Sequence, residues 1–316
     1  MHDAGLSSQV SLATVEVLAN LRRQAPHLAS RLELWLRQIS PDGDPAHHFT
    51  HVRMFPILQL PQWLAGTVPC VSDPGFHAAV TLSSVCGYYC IRLIDNIMDG
   101  EASSEISVLP AVGFFCAQFQ SVYQGYFPAD HPFWKHFHAL WQESCESAIR
   151  DAESREIDWV AFQRVSSRKF CAAGIPLVAA CYRYDRPDLI APWLQFTDGF
   201  ARWSQLVDDV IDWHTDLSRK RATYFLSEGA RRKGTSESLE QWVVHEGFAW
   251  GVETLRKWML DLRSQARALG SATLESYLEH RNALFMQQAA EIELGLSSLA
   301  ELALILELEP TGVARS

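Results

Sequence analysis

Apolar residues recur every three to four positions along almost the whole chain, which is the signature of amphipathic helices. The pattern is continuous over 27–39, 133–154, 237–269 and 273–302. Alternating apolar and polar runs bounded by turn residues, the mark of strands, are nearly absent. Turn-forming clusters punctuate the pattern at 41–48, 56–74, 127–132 and 227–238. The spacing predicts roughly eight to ten helices, no solenoid repeat and no linker. The expected architecture is all-α, a single-domain helical bundle over 1–316 with a central cavity. Two segments, 74–99 and 187–216, are apolar on nearly every side, so they belong at the centre of such a bundle. Both end in aspartates.

The composition narrows the partners. The chain has 27 Lys and Arg against 37 Asp and Glu, a formal charge of −10, which disfavours nucleic acid and anionic membrane surfaces. No stretch is apolar enough to span a bilayer, and the first residues lack the basic and apolar regions of a secretory signal. The seven cysteines form no Cys-x-x-Cys pair and read as reduced thiols of a cytoplasmic protein, with Cys86 and Cys90 as core residues. His47, His48 and His51 form a loop cluster that reads either as a zinc site or as plain polar surface. Glycine-rich phosphate loops, nucleotide-binding fingerprints and hydrolase elbows are missing, and no histidine follows a glutamate at the three-residue spacing of di-iron bundles.

The aspartates carry the chemistry. Asp95 and Asp99 are four apart, and Asp208, Asp212 and Asp216 form a triple series at the same spacing. On a helix, such residues share one face, where like charges repel by a few tenths of a kcal/mol on an exposed surface. Asp209 points elsewhere. A single pair is a common solvated helix end, but two series at the ends of the two most apolar helices point to a shared cation. Oxygen-only ligands suit Mg²⁺ or Mn²⁺, and Mg²⁺ characteristically binds a few carboxylates together with substrate phosphates.

At these residues the sequence resembles the class I isoprenoid (terpene) synthase superfamily, nearest its squalene/phytoene synthase branch. Tyr88, Arg92, Asp95 and Asp99, followed by Gly100, match the branch's first aspartate motif. Gln205, Leu206, Asp212 and Asp216 match its second, with Asp208 in place of asparagine and Arg219, Arg221 and Tyr224 following. The same series is similar to the second metal motif of terpene cyclases, and the run from Gln205 to Asp212 to that of polyprenyl diphosphate synthases. Phe170 stands where phytoene synthases usually have tyrosine, four residues before Gly174, and the branch's C-terminal pattern is missing.

The resemblance implies ionisation of a linear prenyl diphosphate, of C10 to C25, by a cluster of three Mg²⁺ held by Asp95 and Asp99 on one wall and Asp208, Asp212 and Asp216 on the other. Cyclisation with release of diphosphate is the expected outcome. Head-to-head coupling or chain elongation of prenyl diphosphates is the alternative, and a non-catalytic prenyl-binding protein a further one. Arg92, Arg219, Lys220 and Arg221 would reach the diphosphate. Tyr88, Ile91, Phe170, Gly174, Ala201, Ser204, Gln205 and Tyr224 would contact the substrate around a dry apolar chamber. A homodimer is compatible with the family. Pro176 should kink an otherwise helical run from Trp159 to Tyr184, and the resemblance places that kink on the cavity wall.

Overall fold

The computed structural model describes residues 4–40, 42–50, 54–69, 73–98 and 105–308, and every regular element among them is helical. An N-terminal group comprises α1 (Ala4–Gln24), α2 (Pro26–Ile39) and the short α3 (Pro45–Thr50) and α4 (Leu60–Ala65). The first motif helix is α5 (Pro74–Met98), followed by α6 (Ala111–Gln124) and α7 (Phe133–Glu153). Then come α8 (Trp159–Arg164), a 3-10 stretch at Ser166–Ala173, and α9 (Gly174–Arg183). The second motif lies on α10 (Ile190–Ile211) and α11 (Trp213–Ser218). The chain closes with α12 (Tyr224–Arg232), α13 (Leu239–Trp242), a π turn at Val243–Gly247, α14 (Phe248–Ala268) and the long α15 (Ala272–Leu308).

The predicted all-α class is what the chain adopts, with differences in detail. The turn expected at 227–238 begins later, because α12 continues to Arg232. Thr223 caps it by accepting from the Leu226 amide at 3.2 Å, and Glu228 pairs with both Arg231 and Arg232 along its surface. Arg232 also stacks over the Trp250 ring at 4.7 Å. These local contacts outweigh the glycine and serine content that reads as loop.

The run from Trp159 to Tyr184 is broken earlier than expected. The interruption is the 3-10 stretch, and Pro176 falls in the first turn of α9, where its missing N–H would have no helical partner anyway. Pro176 therefore marks a helix start, not a kink inside one.

The two most apolar helices do occupy the centre. The fully buried Trp193, Phe196, Phe200 and Trp203 belong to α10, and Phe76 and Tyr89 to α5. On α5, Cys86 and Cys90 are buried thiols, as expected, and burial pushes both up to about 12. The Ser83 hydroxyl donates to the Phe119 carbonyl at 2.8 Å, tying α5 to α6.

Helix α10 is held from two sides. Arg168, in the 3-10 stretch, donates to Asp198 on α10 at 2.6 Å and to Glu143 on α7 at 2.8 Å. On the other side, the Trp203 indole donates to the Leu255 carbonyl of α14 at 3.1 Å. At Gly251 the two helices come so close that a Cβ would lie 2.7 Å from Val210 and 3.2 Å from Phe225. Gly251→Ala should therefore destabilise the protein by about 1–3 kcal/mol through overpacking, despite alanine's better helix propensity. Urea unfolding of the variant beside the parent chain checks this, and an unchanged midpoint would contradict the close approach.

Candidate active site

Asp95 from α5 and Asp208, Asp212 and Asp216 from the α10–α11 region line one open cavity of about 470 Å³. The fold thus brings Asp95, of the first series, to the second series, which the sequence keeps more than a hundred residues away. Gln205, Lys220 and Arg221 line the same cavity, as the sequence suggests, and so do Asp151, Lys169 and Asp209, which it does not. Asp99 and Gly100 lie outside the described residues, as does His51.

The second series does not sit on one unbroken helix. Asp212 is the junction between α10 and α11, with φ −95° and ψ 11°. The four-residue repeat survives the junction: the Asp212 amide donates to the Asp208 carbonyl at 2.8 Å, and that of Asp216 to the Asp212 carbonyl at 3.0 Å. Beyond Asp216 the chain turns sharply. Lys220 takes a left-handed conformation, φ 56°, and the Arg221 amide bonds back to the Asp216 carbonyl at 2.9 Å. Glycine is the usual residue for such a cap, so a lysine there carries strain on the order of 1 kcal/mol. In return, the turn sets Lys220 and Arg221 on the rim, facing the carboxylates. Arg219, at the exposed end of α11, does not line the cavity.

Asp209 is the buried member of the group and does point away from the row. One oxygen accepts from the Gln205 amide at 2.9 Å and the other from the Tyr224 backbone N–H at 3.1 Å. It thereby clamps the start of α12 to α10. Burial pushes its carboxyl up to about 7, against the opposing pull of Gln205. Asp208 faces the water of the cavity yet is walled in by protein. That desolvation, together with the charges of Asp212 and Asp216, pushes it up to about 6, although Arg281 and Lys169 pull the other way. Asp216 is raised as well, chiefly by burial, with Arg221 opposing.

Lys169 is the cation that sequence reading overlooks. It lies in the 3-10 stretch, and its ammonium pairs with Asp151 at 2.6 Å inside the cavity wall. Burial disfavours its charge, but Asp151 and the fields of Asp95 and Asp209 prevail, so its pKa is raised and it stays protonated. The other Asp151 oxygen is buried without a hydrogen-bond partner among the described residues. No motif marks Lys169 or Asp151, because they come from different helices and meet only in the fold.

Several expected substrate contacts lie elsewhere. Tyr88 bonds through its hydroxyl to His48 Nε2 at 2.7 Å and is packed against Phe49. Ile91 and Arg92 are half-buried on α5 outside the cavity lining. Ala201 and Ser204 are buried on α10, and Ser204 Oγ has no hydrogen-bond partner among the described residues. The Tyr224 ring stacks on Phe162 at 4.6 Å. Gly174 is packed against Leu194, where a Cβ would come within 2.5 Å, so it serves helix packing and not the cavity. Cys171, just before it, donates to the Leu140 carbonyl at 3.1 Å. Lys169, rather than the Gly174–Pro176 break, represents this segment on the wall. Phe170 stacks on Phe55, from the loop before α4, at 5.5 Å. His47 pairs with Asp42 while His48 meets Tyr88, so these two do not converge on a zinc ion.

The donor set fits hard divalent cations shared with a substrate. Among the described residues no three metal-binding side chains converge on one point. Four carboxylates spread around a cavity mouth instead provide a few oxygens each, which is how Mg²⁺ binds when phosphates complete its shell. Raised carboxyls at Asp208 and Asp216 are the electrostatic cost that such a cation would relieve.

No family model matches the chain, and no curated protein does. A solved structure does: geranylgeranyl pyrophosphate synthase from Corynebacterium glutamicum ATCC 13032 superposes with a TM-score of 0.66. The fold is of the isoprenoid synthase type. The superposition covers 91% of this chain and 95% of that one at 14% identity, so the likeness is one of fold. No helix among the described residues is long and apolar enough to cross a membrane.

The raised carboxyls give a pH signature. An ordinary unfolded aspartate titrates near 3.9, so between roughly pH 4 and 7 the folded chain holds protons at Asp208 and Asp209 that the unfolded chain has lost. Stability should therefore fall as pH rises through the folded values of about 6 and about 7. In metal-free buffer the protein should melt higher at about pH 5 than at about pH 8 from these two groups. Asp208→Asn should shrink that difference, as read by differential scanning calorimetry. An identical pH dependence in the variant would contradict the assignment.

Proposed function

We propose that the protein ionises a linear prenyl diphosphate, with Mg²⁺ as cofactor, and cyclises the resulting carbocation with release of diphosphate. The observation that carries this reading is one cavity lined by Asp95 and by Asp208, Asp212 and Asp216, together with Lys169, Lys220 and Arg221. A cavity with both carboxylates and cations suits a ligand that is itself an anion bridged by metal. Neither an anion nor a cation alone would satisfy both sets.

Asp95, Asp208, Asp212 and Asp216 would hold the metal, joined by Asp99 through its motif position. When bound there, Mg²⁺ would supply Lewis-acid chemistry toward a phosphate leaving group. The chain's own groups do the rest. Lys169 is placed to donate to a diphosphate oxygen as negative charge grows on it, moving off Asp151 to do so. Lys220 and Arg221 can close over the same group from the rim, holding the product anion until release.

Chain elongation is the second reading, favoured by the overall likeness to a geranylgeranyl pyrophosphate synthase. Incubation with one prenyl diphosphate and then with paired substrates separates the two. Cyclisation gives a hydrocarbon or alcohol of the substrate's carbon number, whereas elongation requires the pair and gives a longer diphosphate.

Asp95→Asn and Asp212→Asn should each lower turnover by roughly a hundredfold or more while leaving the circular dichroism spectrum unchanged, since each removes a charged oxygen ligand from the metal that would neutralise the departing diphosphate. Lys169→Met should lower kcat more than it raises KM, because its bond to diphosphate strengthens as the carbon–oxygen bond breaks. Steady-state release of diphosphate measures all three. Full activity in the aspartate variants would remove these residues from the metal site.

A further inference from the structure

A second cavity, of about 180 Å³, opens between α8, α10 and α14 and shares no lining residue with the acidic one. Trp159 comes from the start of α8, Gly199 and Arg202 from α10, and Trp258, Asp261 and Gln265 from one face of α14. Trp159 is 40% exposed, and its ring meets that of Trp258 at 5.5 Å and 44°, so the two indoles form an angled wall. Phe162 backs both rings at 6.0 Å. Gly199 keeps the floor low: a Cβ there would press on Leu262 at 3.1 Å and stand 3.9 Å from side-chain nitrogens of both Arg202 and Gln265.

The polar groups around this wall lack partners in the protein. Arg202 lies in the field of Asp198, but Arg168 takes both oxygens of that carboxylate, at 2.7 and 2.6 Å. Among the described residues neither Arg202 nor Asp261 closes an ion pair, although one cavity holds both. The Gln265 side-chain oxygen is buried without a hydrogen-bond partner among them, a cost that an entering donor would relieve. We infer that this groove binds a small zwitterion, an α-amino acid with a flat aromatic side chain. Its carboxylate belongs beside Arg202, its ammonium beside Asp261, the Gln265 oxygen and the face of an indole, and its ring against the rest of the tryptophan wall. The volume agrees: about 150 Å³ suffices for benzene, and drug-sized ligands need roughly 300 Å³ or more. An anion alone would leave Asp261 unmet, a cation alone would leave Arg202, and a molecule without a ring would leave the indoles in water.

Isothermal titration calorimetry on the full chain tests this with L-phenylalanine and with fragments of it: phenethylamine, which lacks the carboxylate, 3-phenylpropionate, which lacks the ammonium, and L-alanine, which lacks the ring. L-Phenylalanine should bind with a Kd of about 1 mM or tighter, and each fragment roughly tenfold more weakly or worse. Arg202→Gln should remove the preference for L-phenylalanine over phenethylamine, and Asp261→Asn the preference over 3-phenylpropionate. Trp159→Ala should weaken every ligand that carries a ring. Asp261 is exposed, so its variant keeps the fold and decides alone if Arg202→Gln does not fold. L-Phenylalanine binding unchanged in both charge variants, fragments that bind as tightly as the whole, or no binding heat from L-phenylalanine well above millimolar concentration would each overturn the inference. None of these outcomes touches the reading of the acidic cavity, which depends on other residues.

Discussion

Everything in this structure is arranged around repulsion between carboxylates. Asp208, Asp212 and Asp216 stand in one row, Asp95 faces the same cavity, and Asp209 is buried behind them. Left to itself, such a group would splay apart or unfold the end of its helix. The frame prevents that by anchoring α10 along its length, through Arg168 to Asp198 on one side and Trp203 to Leu255 on the other. The residual repulsion is visible in the raised pKa values of Asp208 and Asp216. Those raised carboxyls are an electrostatic cost that a bound divalent cation, as proposed, would relieve.

The cations on the protein are placed with the same economy. Lys169 is fixed by Asp151, Arg221 by the sharp turn after α11, and Lys220 occupies the strained position within that turn. Asp209 shows the complementary use of the same residue type. Bonded to Gln205 and to the Tyr224 amide, it has become a structural clamp, and its neighbour Asp208 keeps the water-facing role. Adjacent aspartates on one helix point about 100° apart, and that angle alone separates the two functions.

Fold class was legible because helical periodicity is a local property, repeated in nearly every segment. The aspartate rows were legible for the same reason: a four-residue spacing needs only the chain itself to be read. Helix boundaries were less so. Arg232, held in α12 by Glu228 and Trp250, overrides a glycine- and serine-rich stretch, and the 3-10 segment replaces a proline kink that local rules place at Pro176. At α12 a cap, ion pairs along the helix and the Trp250 contact outweigh the loop-like composition, and at Pro176 the first turn of α9 tolerates the missing N–H.

The sequence by itself determined an all-α chain with two apolar central helices, each followed or ended by aspartates at four-residue spacing. The tertiary structure alone decided that Asp95 and the Asp208 row share a cavity, that Lys169 and Asp151 join it, and that Phe55 comes to rest on Phe170 and Phe200. It also decided that Tyr88, Gly174 and Tyr224 serve packing and hydrogen bonds away from that cavity. The reason is physical. Periodicity fixes which face a residue occupies on its own helix, but which faces meet depends on packing between elements distant in sequence, and no local spacing encodes that.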